Sequence, residues 1–292
     1  MPGPLLRCRA LDVAVAGRTL VRELEFEAHA GEFIAILGEN GVGKTLSLHS
    51  IAGLRTAQHG TVLLQDRPLP DWPRRARAQY LGLLAQSDED PFPSTVLEAV
   101  LIGRHPHLGI WDWESRLDIE LARRALAEVD LAGFDEREVA TLSGGERRRL
   151  AIATILVQAP CVYLLDEPTN HLDPHHAIDT LKLFGARAAV GACVIATLHD
   201  ANQAERFADK TLLLEGEGRW VFGPTRDVVN AANLSRLYHT PIAEFAAGDH
   251  LAEAGVLDVA ARRLGDGART DEEDTGGAVA APLVDALDDL AD

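Results

Sequence analysis

Gly38-Glu39-Asn40-Gly41-Val42-Gly43-Lys44-Thr45 follows the apolar run Phe33-Ile34-Ala35-Ile36-Leu37, and this junction decides the fold. The run reads as a buried strand. After the loop, Leu48, Ile51 and Leu54 recur at helical spacing, with Gly53 as the stop. Strand, GxxxxGK[ST] loop and helix thus stand in the order of a phosphate-binding loop. A triphosphate needs many donors at once and no side chains in the way. Gly38, Gly41 and Gly43 permit positive φ and close backbone approach, so consecutive N–H groups can face one anion. The helix start adds its dipole, Lys44 a point charge for the β and γ phosphates, and Thr45 a hydroxyl for magnesium. An ordinary glycine-rich turn is the alternative, and the complete motif in its expected context speaks against it.

A second motif is Cys161-Val162-Tyr163-Leu164-Leu165-Asp166-Glu167-Pro168, an apolar strand ending on two adjacent carboxylates. In a parallel sheet the C-terminal strand ends gather the ligand. That sets Asp166 toward a cation at Thr45 and leaves Glu167 to polarise an attacking water as general base. Taken alone, such acids read equally as solvated loop residues; the phosphate loop upstream favours the chemistry.

The third motif, Leu142-Ser143-Gly144-Gly145-Glu146, opens a helix that continues to Leu156. Ser143 and Glu146 have capping-box spacing, and Arg147-Arg148-Arg149 could form a solvated face. Two glycines in a first helical turn are poor helix formers, costing about 1 kcal/mol each relative to alanine. Bare backbone at that position suits a phosphate.

Around these motifs, residues 11–15 and 24–28 alternate like strands and form a small β region at the opening of the chain, and a further strand at 61–64 follows the first helix between turn residues. Residues 73–79 read as helix and 80–85 as a buried strand ending at Gln86. Thr95 and Glu98 have capping-box spacing, and helical patterns fill 96–103 and 116–130 with no strand before Cys161, a helical insertion. Strands at 161–165 and 193–198, separated by a helix from Pro174, alternate as in a parallel sheet. A hairpin of 210–214 and 219–222 and helices over 225–238 and 250–264 close the reading.

Together the three motifs resemble the nucleotide-binding subunit of ATP-binding cassette (ABC) transporters over residues 1 to about 240. LSGGE matches that family's signature, Gln86 its Q-loop, Asn170-His171-Leu172-Asp173 its D-loop, and His199 in TLHD its switch histidine. The resemblance implies an α/β fold: a P-loop NTPase (RecA-like) core with an N-terminal antiparallel β subdomain and an inserted α-helical subdomain. The ATPase domain would span 1–240, its core in 1–87 and 141–240 and the insertion in 88–140. Residues 241–292 would hold a C-terminal helix and a flexible acidic tail.

By the same resemblance, ATP would be held by Gly38, Glu39, Asn40, Gly41, Val42, Gly43, Lys44, Thr45 and Leu46. Ser143, Gly144, Gly145 and Asp173 would complete the site from a second copy, so a homodimer is implied. Mg2+ would be held by Thr45, Gln86 and Asp166, with Glu167, His199 and Lys44 catalytic. Two positions depart from the family: Val15 takes the place of an aromatic that stacks on adenine, and Leu46 that of a hydroxyl residue on phosphate.

Residues 96–107, TNHLD and TLHDANQAERFAD are similar to subunits powering import of iron chelates, haem or cobalamin. GRHPH followed by WDWE is nearest the cobalamin type, although GRHPH also reads as a plain helix end. Those subunits work at the cytoplasmic face of the inner membrane with integral membrane permease subunits and, indirectly, a periplasmic binding protein. The alternative is a cassette ATPase without a membrane partner, in repair, translation or cluster assembly. Repair proteins insert coiled coils or zinc modules between Q-loop and signature; here Gln86 and Ser143 are only 57 positions apart.

Composition narrows the field further. Of 292 residues, 47% are apolar and 25% charged, and the net charge is -17. Nine acids and one arginine in 266–292 carry much of it. Such a field repels nucleic acid, so no nucleic-acid partner is expected. The N-terminus breaks its apolar residues with Arg7, Arg9 and Asp12, unlike a signal peptide. Cys8, Cys161 and Cys193 are widely spaced, implying neither disulfide nor zinc site. His171, Asp173, His175 and His176 could be imagined as a metal cluster, but Asp173-Pro174 reads as a helix N-cap with proline at the first position.

Overall fold

The computed structural model describes residues 3–57, 59–86, 93–109 and 111–241. Two sheets organise them. The first joins β1 (Leu6–Val15), β2 (Arg18–Ala28), β4 (Thr61–Leu64) and β5 (Arg67–Pro68) in the order β2-β1-β4-β5, every pair antiparallel. β1 starts five residues earlier than the alternation at 11–15 suggests. Leu6 and Cys8 face inward, then irregular pairing between Cys8 and Leu11, with Ala10 at φ 45°, breaks the alternation.

The second sheet has the order β10-β9-β3-β8-β7-β6. β3 (Phe33–Gly38), β6 (Leu81–Leu84), β7 (Val162–Leu165), β8 (Cys193–Thr197) and β9 (Lys210–Gly216) are parallel; β10 (Arg219–Pro224) returns antiparallel as the expected hairpin. Period-two alternation divides each central strand between two cores. Ile34, Ile36, Val162, Leu164 and Ile195 pack with Leu11, Phe26 and Leu48 on the side of the antiparallel sheet. Phe33, Ala35, Leu37, Tyr163 and Val194 pack on the other face with Phe184 and the helices. The α/β architecture with an antiparallel β region and helical insertion is therefore as expected.

The helix expected over 73–79 is α2 (Arg74–Tyr80), and in the insertion α3 (Val96–Leu101) and α4 (Arg116–Glu128) are both started by capping boxes, Thr95 with Glu98 and Ser115 with Asp118. Between them, Ile102–His107 forms a 3-10 turn. This GRHPH segment is more than a helix end. A Cβ on Gly103 would meet the Thr154 carbonyl oxygen at 2.2 Å, so only glycine lets it lie on α5 (Gly144–Gln158). Arg104 then donates to Asp118 at 2.8 Å and to the Val157 carbonyl at 3.1 Å. The Ser115 hydroxyl, followed by Arg104, holds the Asp118 carboxyl at about 2 despite burial.

Local departures have local causes. α1 (Lys44–Ile51) is followed by Gly53 at φ +69°, which turns the chain, so Leu54 leaves the apolar stripe and is exposed. Beyond α7 (Ala201–Phe207), the helix expected over 225–238 is two, α8 (Thr225–Val228) and α9 (Ala231–Leu237), because Asn230 turns extended and caps the second by accepting from Asn233 N–H. The helix expected over 250–264 and the acidic tail lie outside the described residues.

Candidate functional site

The phosphate loop leaves β3 and enters α1 between two neighbours, β8 and β9. Its glycines serve different ends. Gly41 and Gly43 have φ of +78° and +112°, as a loop of convergent N–H groups requires. Gly38 does not; its need is space, since a Cβ there would meet Val42 at 2.7 Å and the Leu214 carbonyl oxygen at 3.1 Å. Lys44 Nζ donates to the carbonyls of Gly38 (2.7 Å) and Glu39 (3.1 Å), which leaves a third proton for an anion. Burial pushes the Lys44 amine below the usual lysine range, and the carboxylates of Glu167, Asp166 and Glu39 oppose that shift.

Asp166 and Glu167 follow β7 and diverge. Asp166 is fully buried, and its Oδ1 accepts from Thr45 Oγ1 at 3.2 Å. Its Oδ2 is buried with no hydrogen-bond partner. An orphaned carboxylate oxygen beside a hydroxyl fits a hard divalent cation, whose preferred ligands are oxygens. Glu167 stands at φ 47°, a left-handed backbone rare outside glycine, and its carboxylate is occupied on both oxygens. Oε2 accepts from Gln86 Nε2 at 2.7 Å and Asn170 Nδ2 at 3.4 Å; Oε1 lies 2.7 Å from His199 Nε2.

One open pocket of about 430 Å³ is lined by Asn40, Gly41, Gly43, Lys44, Thr45, Leu46, Gln86, Glu167 and His199. The signature residues do not line it. Ser143 and Gly144 are exposed at the start of α5, with the capping box to Glu146 in place. Gly145 lies close to the His171 carbonyl oxygen, which a Cβ would meet at 3.2 Å, whereas Gly144 has nothing within 4 Å of a Cβ. Asp173 also lies outside the pocket lining. It caps α6 (Pro174–Ala189), accepting from the N–H groups of His175 (3.0 Å) and His176 (3.1 Å). A hydrogen bond from the His176 ring holds the Asp173 carboxyl at about 2. Val15 ends β1 with 38% of its surface exposed.

Motif reading passed over two residues. Thr197, the last residue of β8 and the first of TLHD, donates to the Asp166 carboxylate and accepts from the Glu167 N–H, a role that neither the motif nor the hydroxyl ending the apolar run CVIAT announces. Arg148 is the middle of three arginines whose sequence suits a solvated face. It is instead buried, donating to the carbonyls of Ala85, Asp166 (2.6 Å), Glu167 (2.8 Å) and Pro168 (3.4 Å). Arg147 and Arg149 likewise hold carbonyls, of Leu142 and Ala140 and of Val129 and Asp130.

A lysine-bearing glycine loop between parallel strands, faced by an acid pair and a histidine, defines a P-loop nucleotide hydrolase. The ABC transporter family model matches residues 21–170, and the chain belongs to that family as its ATP-binding, ATP-hydrolysing component. The hemin import ATP-binding protein HmuV of Pseudomonas aeruginosa is 37% identical over 80% of this chain and 92% of its own. The ferric enterobactin transport ATP-binding protein FepC of Escherichia coli is 36% identical over 80% of this chain and 86% of its own. Among solved structures, a metal-chelate type ABC transporter in an inward-facing conformation superimposes with a TM-score of 0.73 at 30% identity, covering 85% of this chain and 94% of that one.

Proposed function

We propose that this chain is the ATPase subunit of a metal-chelate importer, coupling ATP binding and hydrolysis to uptake of haem or an iron-siderophore, with cobalamin as the third member of that substrate class. The relatives' names support the importer reading over a cassette without a membrane partner. Among the described residues no helix is long and apolar enough to cross a membrane. Transport therefore requires an integral membrane permease, which this chain engages from the cytoplasmic face, and the permease in turn a periplasmic binding protein.

The observation that carries the mechanism is the separation of the signature turn from its own chain's phosphate pocket. Ser143, Gly144 and Gly145 offer a capped helix N-terminus to solvent, an anion site whose ligand must come from elsewhere. A second copy supplies it: each ATP lies between one chain's phosphate loop and the other's signature, with Asp173 near the same interface. ATP favours the closed dimer because only that state uses both surfaces.

Within one site, Lys44 and the N–H groups of residues 38–46 orient and neutralise the phosphates. Thr45, Asp166 and Gln86 would hold Mg2+, which when bound neutralises charge on the β and γ phosphates. Glu167 takes the proton of the attacking water, and His199 positions it through the 2.7 Å contact. Gln86, bonded to Glu167 and adjoining residues 87–92 outside the described segment, relays the permease's state to the base. The surface offered to the permease runs through residues 93–107, and the exposed Trp111 and Trp113 extend it; residues 88–92 of the expected contact lie outside the described residues.

Affinity purification of the Glu167→Gln chain from native membranes with ATP tests the reading. It is expected to bring down a polytopic permease and a binding protein that takes haem, a ferric siderophore or cobalamin. A chain recovered only in soluble complexes would overturn it. Val15→Tyr, restoring a ring at the adenine position, is expected to tighten ATP binding by about 1 kcal/mol, the order of one aromatic stacking contact. An unchanged affinity for a fluorescent ATP analogue would remove Val15 from the adenine site.

A further inference from the structure

Thr197 opens TLHD, the motif that carries His199, yet the motif gives it no role of its own, and it touches both acids. It ends β8, is fully buried, and is flanked by the strands that carry the phosphate loop and Asp166. A hydroxyl sealed from solvent must be paired. Here the direction of each bond is determined. The Glu167 N–H can only donate, and does so to Thr197 Oγ1 at 2.7 Å. The single hydroxyl proton is then given to Asp166 Oδ1, at 2.8 Å.

Two consequences follow for the acids. Asp166 Oδ1 is filled by the Thr197 and Thr45 hydroxyls, which fixes the carboxylate's rotation and leaves Oδ2 as the oxygen without a protein partner. Glu167, at φ 47°, has its N–H anchored, so its side chain leaves the strand end in the direction of Gln86 and His199. One side chain thereby sets the geometry of two groups with different tasks.

We propose that Thr197 is a positioning residue of the ATPase reaction, its hydroxyl aiming Asp166 Oδ2 at the divalent cation and holding the Glu167 peptide in its left-handed conformation. The proposal rests on the assignment of Asp166 to the cation and of Glu167 to the attacking water. The competing role is space filling at a strand end, which a methyl group would perform as well. Thr197→Val keeps the shape and removes the hydroxyl; Thr197→Ser does the reverse.

The test titrates a fluorescent ATP analogue into the purified full-length chain, once with Mg2+ and once with EDTA, alongside a thermal melt. In EDTA, Thr197→Val is expected to bind as wild type does. With Mg2+, the affinity gained by wild type is expected to shrink about tenfold in Thr197→Val, as for other residues that orient a metal ligand, and Thr197→Ser to restore it. A Thr197→Val chain that keeps the full gain, or that loses affinity equally in EDTA, overturns the proposal. If wild type gains nothing from Mg2+, the Asp166 assignment fails and takes the proposal with it. Should Thr197→Val not fold, Thr197→Ser against Thr197→Ala isolates the same hydroxyl. If only the hydroxyl-bearing chains fold, the hydroxyl serves the fold and the proposal is wrong.

Discussion

Glu167→Gln is expected to bind ATP as tightly as the wild-type chain and to lose turnover by about 10²–10⁴-fold, the range a positioned general base contributes. The substitution keeps size and shape. An amide at this position can still meet Gln86 Nε2 and the His199 ring, the partners that hold the carboxylate at 2.7 Å on either side. What it loses is the capacity to take a proton from water. Phosphate binding is unaffected in this account, because Lys44 and Thr45 belong to a separate element, α1. On the proposed mechanism the closed dimer should therefore accumulate with ATP, since closure would use Ser143 to Gly145 of the second copy and reopening would need hydrolysis. Size-exclusion chromatography with ATP and Mg2+ would show a dimer for the variant, and a steady-state phosphate assay its inactivity. Release of phosphate at near the wild-type rate would remove Glu167 from the role of base.

What could be read from the sequence and what could not divide along physical lines. Strand, loop and helix around Lys44 were legible because their chemistry is local: glycines at fixed offsets, an apolar run before and helical spacing after. The capping boxes at Thr95 and Ser143 were legible for the same reason, each being a three-residue relation. Gly38 was placed correctly for an incorrect reason, because a close approach of Val42 and Leu214 cannot be seen without the neighbouring strand. Thr197 and Arg148 were missed since their partners lie 18 to 63 residues away, just beyond the ends of other strands. Three consecutive arginines on a helix suggest solvent; only the packed sheet shows that the middle one has carbonyls to hold. The break at Asn230 was missed because a cap was hidden inside an otherwise helical composition.

Arg148 is where the second large effect is expected. Arg148→Met preserves much of the side chain's length and apolar stem but removes the fork that reaches the carbonyls of Ala85, Asp166, Glu167 and Pro168. Those acceptors stand in a buried environment, where losing a charged donor costs about 1–3 kcal/mol per bond before relaxation. We expect a net loss of about 3 kcal/mol, and a drop in melting temperature of roughly 6–12 °C for a chain of this size. Arg148→Lys should recover only part of it, because a single ammonium cannot reproduce the planar fork. The effect on activity should exceed the effect on folding. Arg148 is carried by the helix whose first turn is the signature, and it grips the strand ends that bear Gln86 on one side and Asp166 and Glu167 on the other. At a temperature where the variant is fully folded, ATPase activity should still fall while nucleotide binding to the phosphate loop holds. A melting temperature within 2 °C of wild type, a shift below that expected from about 1 kcal/mol, would show that these carbonyls find other partners, and that the grip between signature helix and acid pair is dispensable.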